Sequence, residues 1–219
     1  MMMNNIKDIY YIPERIKMIL QFIKESDKVL DVGCVHHTEE SLTSEVWLHK
    51  FVKMKAASVI GIDILEDKIK ILKKLGYDVM VANAETMNIG KKFNVIVAGE
   101  IIEHLSNPGK FLENAHNHLM NEGILLITTP NAYAWHNILN TMLSKTTWHT
   151  QHVHIFDRIT LMQLVKRHKF SIEYFRYVPL RYGARGSYIS RIFGKLGLKS
   201  LGGATLFLVA KRLNKIESS

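Results

Sequence analysis

Val29-Leu30-Asp31-Val32-Gly33-Cys34 is a short apolar run that closes on an acidic residue and a glycine. Together with Lys28 it reads as a strand over Lys28–Val32. The glycine supplies the turn, and the close backbone approach, that a ligand seated at a strand end requires. A second apolar run, Ser58–Asp63, ends in Asp63, 30 residues after Gly33. Asp78–Ala82, Phe93–Ala98 and Ile124–Thr129 follow as further strands, and their apolar residues barely alternate. Runs of that kind suit strands covered on both faces, the habit of a parallel sheet.

Helical patterns separate these strands. Pro13 sits in a first-turn position, and Ile16, Ile19, Leu20 and Ile23 recur at helical spacing up to about Ser26. Residues 44–55 read as a helix with Val46, Trp47, Phe51 and Met54 on one side. Ile69, Ile71, Leu72 and Leu75 mark another, closed by Gly76. Further helices are expected over Pro108–Met120, Ala132–Leu143 and Arg158–His168, with a turn at Asn121-Glu122-Gly123 and a polar loop over Ser144–Phe156. Phe170–Val178 and Ala204–Lys211 complete the strands as an antiparallel hairpin at the sheet edge. The expected fold is α/β: a three-layer, doubly wound, seven-stranded, mostly parallel sheet with an antiparallel last strand. The chain reads as a single domain over 1–219, with an N-terminal helix within 1–26 and a basic insertion over 181–200 before the last strand.

Composition narrows the function classes. The chain has 219 residues, 47% of them hydrophobic and 22% charged, an ordinary globular balance. Cys34 is the single cysteine, so there is no internal disulfide framework. No run approaches the roughly 20 apolar residues of a spanning helix, and Met1–Asn5 lacks a signal-peptide pattern. A cytoplasmic protein, or one peripheral to a membrane, is the expectation. Lys plus Arg number 29 against 20 Asp plus Glu, a net charge of +9. From Arg176 to Lys215 there is no acidic residue at all. Such a field favours an anionic small-molecule acceptor or a membrane surface, the latter through the amphipathic part of 181–200. A nucleic acid ranks lower, because no dedicated RNA-binding module is visible.

Four positions carry candidate chemistry. Asp31, Gly33 and Cys34 stand at the first strand end, where open parallel sheets bind ligands. Asp63, followed by Ile64, can accept hydrogen bonds from both ribose hydroxyls of a nucleoside, or else cap the next helix. Asn83-Ala84-Glu85 follows the third strand and can read an adenine edge or form a simple turn. Gly99-Glu100-Ile101-Ile102-Glu103-His104 follows the fourth. Glu100, Glu103 and His104 stand at i, i+3 and i+4, which share one face of a helical turn. They can hold a divalent ion, or leave His104 as a base oriented by a carboxylate. Trp135, His136, Trp148 and His149 can wall a substrate pocket or anchor their loop.

In that order and spacing the motifs resemble the class I S-adenosylmethionine-dependent methyltransferases, and within them the small-molecule O-methyltransferases of the ubiquinone-biosynthesis and surface-polysaccharide type. The resemblance runs over most of Lys28–Phe170, including Gly123–Asn131. It implies S-adenosylmethionine as cofactor, with Asp31, Gly33 and Cys34 near its methionine part, Asp63 and Ile64 at the ribose, and Asn83, Ala84 and Glu85 at the adenine. Gly99 and Glu100 fall between cofactor and acceptor. His104 is the expected base, with Glu100 and His152 beside it as catalytic candidates. The family usually continues the first motif with two more glycines, where this chain has Cys34-Val35-His36-His37. Relatives with a similar Glu-x-x-Glu-His turn use a divalent metal, which here would take Glu100, Glu103, His104 and a histidine of His152-Val153-His154, His154 foremost. The expected activity is O-methylation of a hydroxyl on a small molecule or an activated or lipid-linked sugar. A catalytically silent binding module and a metal-assisted RNA 2′-O-methyltransferase are the alternatives.

Overall fold

The computed structural model describes residues 13–35, 46–145, 148–179 and 184–214. His36 and His37, and the first residues of the expected helix over 44–55, lie outside them. Seven strands form one sheet: β1 (Lys28–Val32), β2 (Ser58–Asp63), β3 (Val79–Val81), β4 (Phe93–Gly99), β5 (Leu119–Pro130), β6 (Phe170–Pro179) and β7 (Gly203–Arg212). Their order across the sheet is β3-β2-β1-β4-β5-β7-β6. β1 to β5 pair in parallel, and β7 runs antiparallel between β5 and β6. The strand order reverses between β1 and β4, so a crevice opens there at the carboxyl ends.

Strand alternation divides the core. Leu30, Val32, Ile96 and Ala98 face one side and join Phe111, Leu112, Leu161 and Val165. Those partners come from α4 (Pro108–His118) and α6 (Arg158–Arg167). Val29, Val95, Val97 and Leu126 face the other side, against α1 (Glu14–Gln21) and α2 (Leu48–Lys55). α3 (Glu66–Lys74) covers the β2–β3 end with Ile69 and Leu72. α5 (Trp135–Met142), α7 (Ala184–Lys195) and α8 (Lys199–Gly202) complete the elements.

The differences from the sequence reading have local causes. α1 stops at Gln21 rather than near Ser26, and Ile23 reaches the core from the turn beyond it. α2 buries His49 and Val52, whereas Met54 is exposed. On α3 Ile71 and Leu75 are exposed. The expected turn at 121–123 does not separate helix from strand: β5 begins at Leu119 and runs through it, with Glu122 at φ 65° absorbing the irregularity. Among the described residues no helix is long and apolar enough to cross a membrane.

Candidate active site

Two cavities adjoin at the carboxyl ends of β1, β2 and β4. One, of about 340 Å³, is lined by Asp31, Gly33, Cys34, Asp63, Ile64, Gly99, Glu100 and His104. The other, of about 200 Å³, is lined by Asn83, Ala84 and Glu85, and shares Gly33, Asp63, Ile64, Ile101 and His104 with the first. Every expected cofactor-side residue therefore lies on one continuous depression, of a size usual for small-ligand sites. Arg15 of α1 also lines the larger cavity, although neither its charge nor its helix marked it in the sequence.

Glycine at these strand ends is required by the side chains packed against them. Gly33 turns at φ +72°, and a Cβ there would stand 3.1 Å from Ile101 Cδ1. A Cβ on Gly99 would meet Leu48 Cδ2 at 2.7 Å. Asp63 holds the loop after β1 to the one after β2: its Oδ2 accepts from Val35 N–H (3.1 Å) and its Oδ1 from Leu65 N–H (3.1 Å). Each of these oxygens keeps a second lone pair for a ligand hydroxyl. Asn83 Oδ1 accepts from Glu85 N–H (2.8 Å), and Glu85 Oε1 from Ser106 N–H (2.8 Å).

Asp31 has a partner that hydrophobic patterning hid. His49 Nδ1 lies 2.8 Å from Asp31 Oδ2, and both side chains are buried. Trp47 Nε1–H donates to the Cys34 carbonyl (2.7 Å), fixing the chain after Gly33. Burial first, and then the carboxylates of Asp31 and Asp63, push the Cys34 thiol well above its ordinary pKa. It is a packing thiol rather than a nucleophile.

Glu100 and Glu103 do not share a face. Glu100 takes the left-handed conformation, φ 61°, as its N–H reaches Thr128 O (2.9 Å). Only Ile102–His104 is helical, as a single 3₁₀ turn. The two carboxyls take different partners. Glu100 Oε1 accepts from Thr205 Oγ1 (3.4 Å) and stands 4.0 Å from Arg15 Nε. Glu103 turns inward, is 2% exposed, and accepts from Thr129 Oγ1–H (2.9 Å). Burial raises its pKa to about 8. Glu100 and Glu103 thus have separate partners, where the helical-turn reading expects one shared face.

His104 stays at the cavity, half-buried, with Nδ1 3.2 Å from the Gln151 carbonyl. The segment carrying Gln151 is tied down by Val153 N–H and His154 N–H, both donating to Glu103 O (3.0 and 3.1 Å). This clamp brings the His152 ring to 4.7 Å from that of His104. Ligand atoms of Glu103, His104 and His152 lie within 4.8 Å of one another. Glu100 and His154 are not in that group, so His152 takes the place foreseen for His154. His149 also joins the ring cluster, 6.4 Å from His104, while Trp148 stands 6.4 Å from His152. Trp135 and His136 pack on each other, with ring centroids 5.9 Å apart, and neither lines the two cavities.

A family model described as a methyltransferase domain matches residues 5–174. Over 136 residues the chain is 35% identical to the ubiquinone biosynthesis O-methyltransferase of Pelagibacter ubique, covering 56% of this chain and 52% of that one. Over 109 residues it is 29% identical to the (S)-coclaurine N-methyltransferase of Papaver somniferum, covering 48% of this chain and 30% of that one. The chain thus spans about half the length, or less, of these curated relatives. Among solved structures, a SAM-dependent methyltransferase from Archaeoglobus fulgidus superimposes with a TM-score of 0.64 at 17% identity, covering 90% of this chain and 91% of that one.

Proposed function

The chain belongs to the class I S-adenosylmethionine-dependent methyltransferases, and from that premise we propose that it transfers a methyl group to a hydroxyl of a small molecule. The observation that carries this reading is the continuous depression over the β1–β4 switch point, lined by Asp31, Gly33, Asp63, Asn83 and Glu85 and ending at His104. The donor set fits the cofactor. Asp63 offers its remaining lone pairs to the ribose hydroxyls, and Arg15 offers a guanidinium to the carboxylate of the methionine part. Asp31, held by His49, would take the ammonium group. Gly33 and Gly99 let Ile101, Leu48 and Arg15 pack against the strand ends that would carry the cofactor. Asn83 and Glu85 would border the adenine.

Bound there, S-adenosylmethionine supplies a methyl carbon made electrophilic by its sulfonium. His104 accepts the proton that the acceptor hydroxyl gives up, as a general base next to the bond being made. The Gln151 carbonyl accepts a hydrogen bond from Nδ1–H and so presents the other ring nitrogen to the cavity. His152 packs edge-on against that ring and limits its rotation. Glu100 and Arg15 form the wall between cofactor and acceptor.

The residues fit a divalent metal poorly. Among the described residues Glu103, His104 and His152 come together, with Glu100 and His154 outside the group, and Glu103 is buried and already accepts from Thr129. The metal-assisted RNA reading therefore lacks the second carboxylate expected for it. The names of the two curated relatives support a small-molecule acceptor, one an O- and the other an N-methyltransferase.

Calorimetric titration with S-adenosylhomocysteine tests the proposal. Micromolar binding that falls at least about tenfold in Asp63→Ala is expected from the loss of paired ribose hydrogen bonds. Absence of binding by the parent chain would leave the silent-module reading in its place.

A further inference from the structure

A third depression, of about 700 Å³, opens at the free edge of the sheet. Four cations line it from four different elements: Arg158 of α6, Arg176 of β6, Arg191 of α7 and Lys199 of α8. No carboxylate is among its lining residues. Asp157, next to Arg158 in the chain, is occupied as the cap of α6, accepting from Ile159 N–H and Thr160 N–H. No ion pair involves any of the four cations among the described residues. Arg158 Cζ lies over the Phe175 ring, 5.3 Å from its centroid, which keeps the guanidinium against β6. Ser190 also lines the depression. It is 4% exposed and its Oγ has no hydrogen-bond partner. Buried hydroxyls are ordinarily satisfied, so an unmatched one beside four cations without a carboxylate partner marks a place lacking acceptor oxygens.

The depression lies at the reaction end of the sheet. β6 runs parallel to β5, so Arg176 to Pro179 approach the same carboxyl edge as Gly99. Glu100, on the wall of the main cavity, is bonded to Thr205 of β7. Gly203, two residues along that strand, lines the depression. At about 3.3 Å per residue, roughly 7 Å of strand separates the two. Three strand spacings from β4 to β6 put the far side about 14 Å away.

We propose that this four-cation depression binds the phosphate or diphosphate group of the acceptor while its hydroxyl lies at His104. The inference rests on the methyl-transfer reading and names the substrate class for it. Convergence decides the chemistry. Cations from four elements around one concavity surround a compact polyanion, which takes several charge-assisted hydrogen bonds at once. Arginine forks match phosphate oxygens in pairs, and three of the four cations are arginines. A single-stranded nucleic acid would call for an extended track with stacking platforms. A membrane surface would use one convex helix face.

The test is calorimetry on the full chain with inorganic pyrophosphate, in the presence and absence of S-adenosylhomocysteine. It compares the parent, the double variant Arg176→Gln/Arg191→Gln, and a control, Lys73→Gln/Lys74→Gln, that removes equal charge from exposed α3. The expected result is pyrophosphate binding that weakens at least about tenfold in the arginine variant and is unchanged in the control. S-adenosylhomocysteine affinity stays the same in all three. Pyrophosphate that fails to bind, or weakens equally in the control, overturns the proposal while S-adenosylhomocysteine binding preserves the methyltransferase reading. Loss of S-adenosylhomocysteine binding in the parent overturns both. Co-sedimentation with phosphatidylglycerol-containing vesicles, lost in the arginine variant without any pyrophosphate binding, overturns it in favour of a lipid surface.

Discussion

His49 Nδ1 stands 2.8 Å from Asp31 Oδ2, with the imidazole fully buried and the carboxylate nearly so. The pair joins α2 to the end of β1, directly under the cofactor side of the cavity. Gly61 is small for the same reason: a Cβ on it would come within 2.7 Å of both His49 Cε1 and Cys34 Sγ. Truncating the histidine leaves a buried acceptor unmatched and a void beside it. His49→Ala is expected to lose about 2–4 kcal/mol. At roughly 2–4 °C per kcal/mol for a chain of this size, the melting temperature falls by about 5–15 °C. The combination of His49→Ala with Asp31→Asn should cost less than the sum of the singles, because one interaction is removed twice. Additive losses would mean that the contact carries no coupling.

Glu103 gives stability a pH slope. Its carboxyl has a folded pKa of about 8, raised above the ordinary carboxylate value mainly by burial. Between roughly pH 4.5 and 8 the folded chain keeps a proton that the unfolded chain has released. Stability contributed by the neutral form is thus fully present below that window and is lost as pH rises through it. Glu103→Gln imitates the neutral acid and still offers an oxygen to Thr129. Its melting temperature should match the parent near pH 5 and exceed it by several degrees near pH 8.5. Parallel melting curves at all pH values would place Glu103 in its ordinary ionised state.

His104 lines the cavity, and the loop clamped to Glu103 O brings the Gln151 carbonyl to its Nδ1. As general base it is expected to supply about 10²–10⁴ of the rate. His104→Ala should lower turnover by that order on any acceptor that releases S-adenosylhomocysteine, with S-adenosylhomocysteine affinity unchanged. Pretreatment of the parent with EDTA should leave turnover unaffected, because the second carboxylate of the expected metal set, Glu100, stands outside the Glu103–His104–His152 group. A rate lost on EDTA treatment and restored by magnesium alone would make that group a metal site.

Strand ends were the most legible part of this sequence. Val29–Gly33, Ser58–Asp63 and Phe93–Gly99 are apolar runs closed by Gly or Asp, and the structure gathers their ends around one crevice. Arg15 and His49 were not legible, since a hydrophobic period counts both as solvent-facing. Only the tertiary approach of α1 to Thr128, and of α2 to Asp31, gives them a role. The Glu100–His104 turn was misread for another reason. Spacing at i, i+3 and i+4 presumes helical dihedrals from the first residue, and Glu100 has a positive φ. The choice of His152 over His154 depended on two backbone hydrogen bonds to Glu103 O, which no local pattern announces.

The left-handed backbone of Glu100 separates two roles that one substitution would confuse. A side chain at φ 61° is strained by about 1–2 kcal/mol relative to glycine. The carboxylate meanwhile accepts from Thr205 and faces Arg15. Glu100→Ala removes the carboxylate and keeps the strain, whereas Glu100→Gly removes both. If strain is the main consequence of Glu100's position, the glycine variant should melt about 2–8 °C above the alanine variant. Both should lose turnover to the same extent if the carboxylate is what holds Arg15 and the cavity wall in place. A glycine variant that melts higher but retains parental turnover would make the residue a backbone feature only. A glycine variant that melts above the alanine variant, with activity lost in both, is the outcome expected of a residue at the boundary between cofactor and acceptor, where strained backbone is kept because the surrounding contacts over-determine it.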